Sequence, residues 1–79
     1  MGVKLQITNL PRNLTEEQLK KLFEPFGPVV ECTLVMDAVT AKSKGFGFVT
    51  LPNPTAAEKA VERHHETLVN GQKIKVKIK

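Results

Sequence analysis

The chain alternates apolar and polar positions with a period of two, then of nearly four, and then of two again. Val3-Lys4-Leu5-Gln6-Ile7-Thr8 alternates strictly, as a half-buried strand does. Asn9-Leu10-Pro11-Arg12-Asn13 follows as a loop. Thr15-Glu16-Glu17-Gln18 has the form of a capping box, in which Thr15 accepts from the amide three residues on and Gln18 reaches back. Leu14 and Leu19 stand where a hydrophobic staple would be, and Leu19, Leu22, Phe23 and Phe26 make an apolar helical stripe. Pro25 disturbs this helix near its end, and Gly27-Pro28 stops it. Residues 29–36 read as a second strand, with Cys32 and Leu34 inward and Glu31, Thr33 and Val35 opposite. A polar loop over residues 37–43 leads to a third strand. Asn53 as cap and Pro54 at the first helical position open a second helix, whose buried stripe is Ala57, Ala60 and Val61. Asn70-Gly71 is a strong turn pair, and residues 74–79 alternate strictly as a last strand.

The third strand, Lys44-Gly45-Phe46-Gly47-Phe48-Val49-Thr50-Leu51, is the most informative segment. Successive side chains of a strand point to opposite faces. Gly47, Val49 and Leu51 therefore share one face, and Lys44, Phe46, Phe48 and Thr50 share the other. The first set suits a core, with Gly47 letting a helix come close. The second puts two rings and an ammonium group together on a face that a soluble domain has no packing reason to make aromatic. Left uncovered, such rings are a platform for flat anionic ligands, of which nucleic-acid bases are the obvious kind.

The predicted order is β-α-β-β-α-β, an α+β chain without repeat, linker or low-complexity segment. Right-handed crossovers turn it into a ferredoxin-like sandwich, a four-stranded antiparallel sheet with both helices on one face. The other face stays open and carries Gln6, Thr8, Glu31, Thr33, Val35, Lys44, Phe46, Phe48, Thr50, Lys75, Lys77 and Lys79.

Composition narrows the function classes. The 79 residues suffice for one domain and one compact core. A lone cysteine, Cys32, excludes an internal disulfide, and nothing resembles a signal peptide or a membrane-spanning run. The expected setting is therefore intracellular, nuclear or cytoplasmic, with no membrane contact. A net charge of +4 favours an anionic partner. His64-His65 is a poor metal pair, because adjacent helical residues point about 100° apart and no cysteine or carboxylate cluster completes a set. No metal, cofactor or catalytic group is expected. Gly45 and Gly47 sit inside a strand without a Walker lysine, so they are not a phosphate-binding loop.

Residues 44–51 match the eight-residue signature of the RNA recognition motif, Lys/Arg-Gly-Phe/Tyr-Gly/Ala-Phe-Val-x-Phe/Tyr, at every specified position but the last. Leu5-Gln6-Ile7-Thr8-Asn9-Leu10 resembles the family's six-residue signature on the first strand, and the two helical stripes resemble its helices. The resemblance spans essentially the whole chain. It implies that Phe46 and Phe48 stack on bases or sugars and that Lys44 meets a phosphate. Leu51 departs from the signature on the core face. Gln6 departs on the working face, where the family usually carries a second stacking aromatic.

On that reading the partner is single-stranded RNA, or single-stranded DNA as a close variant. The chain is a monomeric module of a larger multidomain protein, and Thr8, Thr33, Val35 and Gln6 complete the contact surface. Lys75, Lys77 and Lys79 lie on the same face, although lysines on a terminal strand also discourage edge-to-edge aggregation. Lys42 and Arg12 are loop cations beside the platform, equally well explained as solvated side chains. A protein-interaction module on the same fold is the competing reading; peptide-binding members usually lose the strand aromatics, which this chain keeps. An acylphosphatase-like enzyme would need an arginine anion cradle with a paired catalytic group, and Arg12 stands alone.

Overall fold

The capping box that opens the first helix is formed as the sequence predicts. In a computed structural model describing residues 2–79, Gln18 N–H donates to Thr15 Oγ1 at 3.1 Å and Thr15 N–H donates to Gln18 Oε1 at 3.0 Å. Two otherwise orphaned amides are thereby satisfied, and Leu14 and Leu19 are both buried. Helix α1 runs Glu16–Phe23 and then tightens into a 3-10 turn over Glu24–Phe26. Pro25 has no N–H to continue the α-helical ladder, which is why the stripe ends there as a tighter turn.

The strands are β1 Val3–Thr8, β2 Glu31–Met36, β3 Ser43–Leu51 and, at the end of the chain, Lys75–Ile78. Helix α2 spans Pro54–His64, and Asn53 caps it by accepting from Ala56 N–H at 2.8 Å. Between α2 and the last strand, where the sequence predicts only a turn, lies a two-residue-a-side hairpin: β4 Leu68–Val69 and β5 Gln72–Lys73. Asn70 and Gly71 close it with φ of 50° and 83°, the left-handed pair that a tight hairpin needs. The last strand is accordingly β6.

Several boundaries differ from expectation: β3 takes in Ser43 from the expected loop, and β6 stops at Ile78 rather than residue 79. β2 begins at Glu31 rather than residue 29, and Val30, 63% exposed, precedes it with only its N–H on Thr50 O. Pro28, which cannot donate, sits at the entry. β6 begins at Lys75 rather than residue 74, because Ile74 N–H is drawn to Thr67 O and Ile74 O accepts from Glu66 N–H.

All four long strands pair antiparallel in the order β2-β3-β1-β6. One cluster joins Leu5, Ile7, Val49, Leu51 and Val76 of the sheet to Leu19 and Phe23 of α1 and Ala56, Ala57 and Ala60 of α2. Both helices therefore cover one face, and the expected βαββαβ sandwich is the observed one, with the hairpin added. Small residues on α2 let it seat close to the sheet. Both sheet edges are partly closed by side chains. Glu16 Oε2 accepts from Leu34 N–H at 3.3 Å on the β2 side, and His65 Nδ1 accepts from Val76 N–H at 3.1 Å on the β6 side. Among the described residues no helix is long and apolar enough to cross a membrane.

Gly47 is where the layers come closest. A Cβ there would lie 2.6 Å from Thr33 O on the neighbouring strand and 3.1 Å from Leu19 Cδ2 of α1. The nearer obstacle is backbone, so relief requires β2 to move. We expect Gly47→Ala to destabilise the fold by about 1–3 kcal/mol, lowering the melting temperature by at least about 4 °C. Thermal denaturation of the variant beside the parent chain checks this, and an unchanged Tm would disprove the close approach.

Candidate nucleic-acid interface

Strand alternation decides which side chains reach the uncovered face, and the register decides how they line up. Thr33, Phe48, Gln6 and Lys77 form one row across the sheet, each opposite the next. Glu31, Thr50 and Lys4 form a second row, continued by Lys79, whose N–H donates to Lys4 O at 2.9 Å. Thr8 lies opposite Lys75. None of the side chains named for this face is buried: Thr33, Lys44, Lys75, Lys77 and Lys79 are exposed, and Gln6, Thr8, Val35, Phe46 and Phe48 are half-buried.

Phe46 and Phe48 do not form the flat floor that two rings on one strand suggest. Their centroids are 6.4 Å apart and their planes 89° apart, an edge-to-face pair. The positive rim of one ring meets the negative face of the other, so this is the preferred arrangement for neighbouring rings. Phe48 is further occupied by cations: Lys79 Nζ lies 4.7 Å and Lys4 Nζ 5.4 Å from its centroid. At an exposed site such a contact is worth about 0.5–1 kcal/mol. No such cation sits over Phe46 among the described residues.

Lys4 is absent from the sequence-derived set, yet it belongs to the face. The signal was there: it stands two residues before Gln6 on a strictly alternating strand. Ser43 and Gly45 were also missed as determinants. The pairing of β2 with β3 slips between Leu34 and Met36, so that Leu34 faces Gly47 whereas Met36 faces Ser43. In the resulting bulge Gly45 has φ of 89°, a conformation strained for any side chain. Buried Ser43 holds it by accepting from Gly45 N–H at 3.0 Å, and Gly45 O accepts from Leu10 N–H at 2.8 Å. The slip in pairing and the bond from Leu10 lie across the sheet, where no local pattern reports them, whereas the Ser43–Gly45 bond is local.

The cations separate into two groups. Lys4 and Lys79 attend Phe48. Arg12, Lys42 and Lys44 border an open recess of about 550 Å³ beside Phe46, with Lys75 and Lys77 along β6. The carboxylate that shares this recess, Asp37, is held by its own loop: Oδ1 accepts from Val39 N–H at 2.8 Å and Thr40 N–H at 3.1 Å, and the Arg12 charge acts on it more weakly. These two amides, Thr40 first, hold its carboxyl below the usual range.

The histidines serve packing. His64 lies edge-on to Phe23 and Phe26, each 5.3 Å away, and its Nε2 is 2.7 Å from Leu22 O. Among the described residues no three His, Cys, Asp or Glu side chains gather as a metal site.

The family model of the RNA recognition motif matches residues 5–75. The human RNA-binding protein 4B (Homo sapiens) is 40% identical over 74 residues, which are 94% of this chain and 18% of that protein. The chain thus spans less than a fifth of that curated relative's length. Among solved structures, RNA Binding Protein PG1 superposes with a TM-score of 0.93 at 30% identity, covering 98% of this chain and 93% of that one. The chain of a Sxl-lethal protein/RNA complex superposes with a TM-score of 0.90 at 26% identity, covering 98% and 46%.

Cys32 carries the thiol of the sheet, and its surroundings suppress its reactivity. Burial, then the Glu16 carboxylate, push its thiol up to about 11 from an ordinary 9.0, and Sγ lies 3.6 Å from Glu16 O. A rise of two units leaves about a hundredfold less thiolate at pH 8. Alkylation of the folded chain at pH 8 is therefore expected to run about two orders of magnitude slower than in urea, and to climb as pH approaches 11. Equal rates in the two states would contradict this.

Proposed function

The chain belongs to the RNA recognition motif family, and from that premise we propose that it is a non-catalytic single-stranded RNA-binding module working through its open sheet face. The observation that carries this reading is the pair Phe46 and Phe48, half-buried on a face that neither helix covers and bordered by Lys4, Lys44, Lys75, Lys77 and Lys79. Relatives named for RNA binding, and a similar fold solved in a protein/RNA complex, support it.

The two rings divide the work. Phe46, free of cations, takes a base by stacking, which is worth about 1–3 kcal/mol. Phe48, with two ammonium groups over it, meets the sugar while Lys4 and Lys79 turn to the adjoining phosphate. Lys44 holds a phosphate on the Phe46 side, and Lys75 and Lys77 extend the positive track along β6. Gln6, between Phe48 and Lys77, offers an amide to a base edge where an aromatic would offer a ring. Thr8, Thr33 and Val35 flank the path, and Lys42 approaches from the loop before β3. The module acts as part of a longer protein, in the nucleus or cytoplasm.

Phe46→Ala is expected to weaken binding of an unstructured RNA oligonucleotide by at least about fivefold. Phe48→Ala should also weaken it, by an amount that falls at high salt because its lysine partners act through charge. Neither variant should unfold, since neither ring belongs to the buried cluster. Binding isotherms and melting curves on the same samples test this. Full retention of binding by both variants, or loss of the cooperative melt, would overturn the assignment.

Affinity is expected to fall with salt as phosphate contacts release counterions. About three to five contacts give a log–log slope of roughly −2 to −3.5 for a single strand. Replacing Lys75 and Lys77 with glutamine should make the slope shallower by about one unit or slightly more. An unchanged slope would return these lysines to guarding the sheet edge, a duty that residues 65–67 already share through their bonds to Ile74 and Val76.

A further inference from the structure

Beyond Phe46 the sheet ends in a second recess, also of about 550 Å³, where the loop after β1, the start of β3 and the β4–β5 hairpin meet. Thr8, Asn9, Arg12, Lys44, Phe46 and Gln72 are among its walls. A nucleotide-sized ligand fits such a volume.

Two amide side chains tie the hairpin to the loop here. Asn9 Nδ2 donates to Lys73 O at 2.6 Å, and Gln72 Nε2 donates to Asn9 O at 3.0 Å. Asn9 is held in a left-handed conformation, φ 59°. With both nitrogens committed, Asn9 Oδ1 and Gln72 Oε1 remain as acceptors; among the described residues neither takes a hydrogen bond. Arg12 supplies the complementary donors. Its guanidinium makes no ion pair within 4.0 Å among the described residues; its charge helps to lower the carboxyl of Asp37, whose Oδ1 is engaged with its own loop amides. Arg12 also borders both the recess shared with Lys42 and an adjoining one of about 400 Å³. It is the cation on which the three concavities converge.

We infer that this recess is a base-reading subsite for a guanine nucleotide, next to Phe46 at the end of the open face. The inference rests on the RNA-binding reading above and adds a sequence preference to it. Guanine presents two neighbouring acceptors, O6 and N7, that match a guanidinium fork. On its other edge are N–H donors, which suit amide oxygens with no other partner. Adenine puts a donor where the fork needs an acceptor. Cytosine and uracil lack the N7 acceptor beside a carbonyl. Lys44, at the boundary with Phe46, neutralises the intervening phosphate.

The test is a labelled oligouridylate of about eight nucleotides, all uridine or with one central residue changed to guanosine, adenosine or cytidine. It is titrated into the parent chain, Arg12→Lys and Arg12→Gln. The parent should bind the guanosine form at least about fivefold more tightly than the others, the adenosine form separating general purine stacking from base reading. Arg12→Lys keeps the charge and loses the fork, so the guanosine gain should vanish while affinity for plain oligouridylate stays within about twofold. Arg12→Gln should lose the gain as well and also weaken the other three oligomers, by one common factor. Should the parent bind oligouridylate yet not prefer guanosine, or should the preference survive in Arg12→Lys, the subsite is wrong and RNA binding stands. Failure of every oligomer to bind would remove the RNA-binding reading and this subsite with it.

Discussion

The rest of the structure depends on β3 having two incompatible faces and no room to exchange them. Gly47, Val49 and Leu51 are buried on one side, and Phe46 and Phe48 stand on the other. A slip of one residue would bury the rings and expose the core, so the register is strongly specified. It is also locked sterically: Gly47 passes Thr33 O so closely that a methyl group would collide with it. As β3 lies between β2 and β1, its register propagates across the sheet and sets which residues oppose Phe48 on either side.

From this comes the asymmetry of the open face. Toward the end of β3, Lys4 and Lys79 converge on Phe48 because the β1–β6 pairing continues through the bond from Lys79 to Lys4. Toward the start, the bulge at Gly45 interrupts the pairing with β2, which resumes at Met36 and Ser43, and Arg12, Lys42 and Lys44 gather beside Phe46. The same kind of residue thus has two settings. Cations over a ring occupy its π-face and can be lent to phosphate, whereas cations beside a ring leave the π-face free for a base.

Gln6 occupies the middle of the surface, opposite Phe48 on one strand and Lys77 on the other. The missing aromatic is therefore a change at the centre. In the binding mode proposed above, a shorter stacking surface makes the contribution of charge and of hydrogen-bonding side chains proportionately larger, those at the hairpin end being Asn9, Arg12 and Gln72.

The sequence by itself determined the order of the two helices and four long strands, both helix caps, the split of β3 into a core face and an aromatic face, and the family. These properties are local: a cap needs residues three apart, a strand face residues two apart, and a family signature a contiguous run. Lys4 was equally legible by alternation and was overlooked. Tertiary structure alone decided the edge-to-face setting of Phe46 and Phe48, the cations over Phe48, the bulge at Ser43 and Gly45, and the early bond of Ile74 that postpones β6. It also decided the hairpin's attachment to Asn9, which brings together residues more than 60 positions apart. Apart from the Phe46–Phe48 pair, the Ser43–Gly45 bond and the bond of Ile74 to Thr67, which join near neighbours in the chain, these arise from packing between remote segments, where spacing along the sequence carries no information about distance in space.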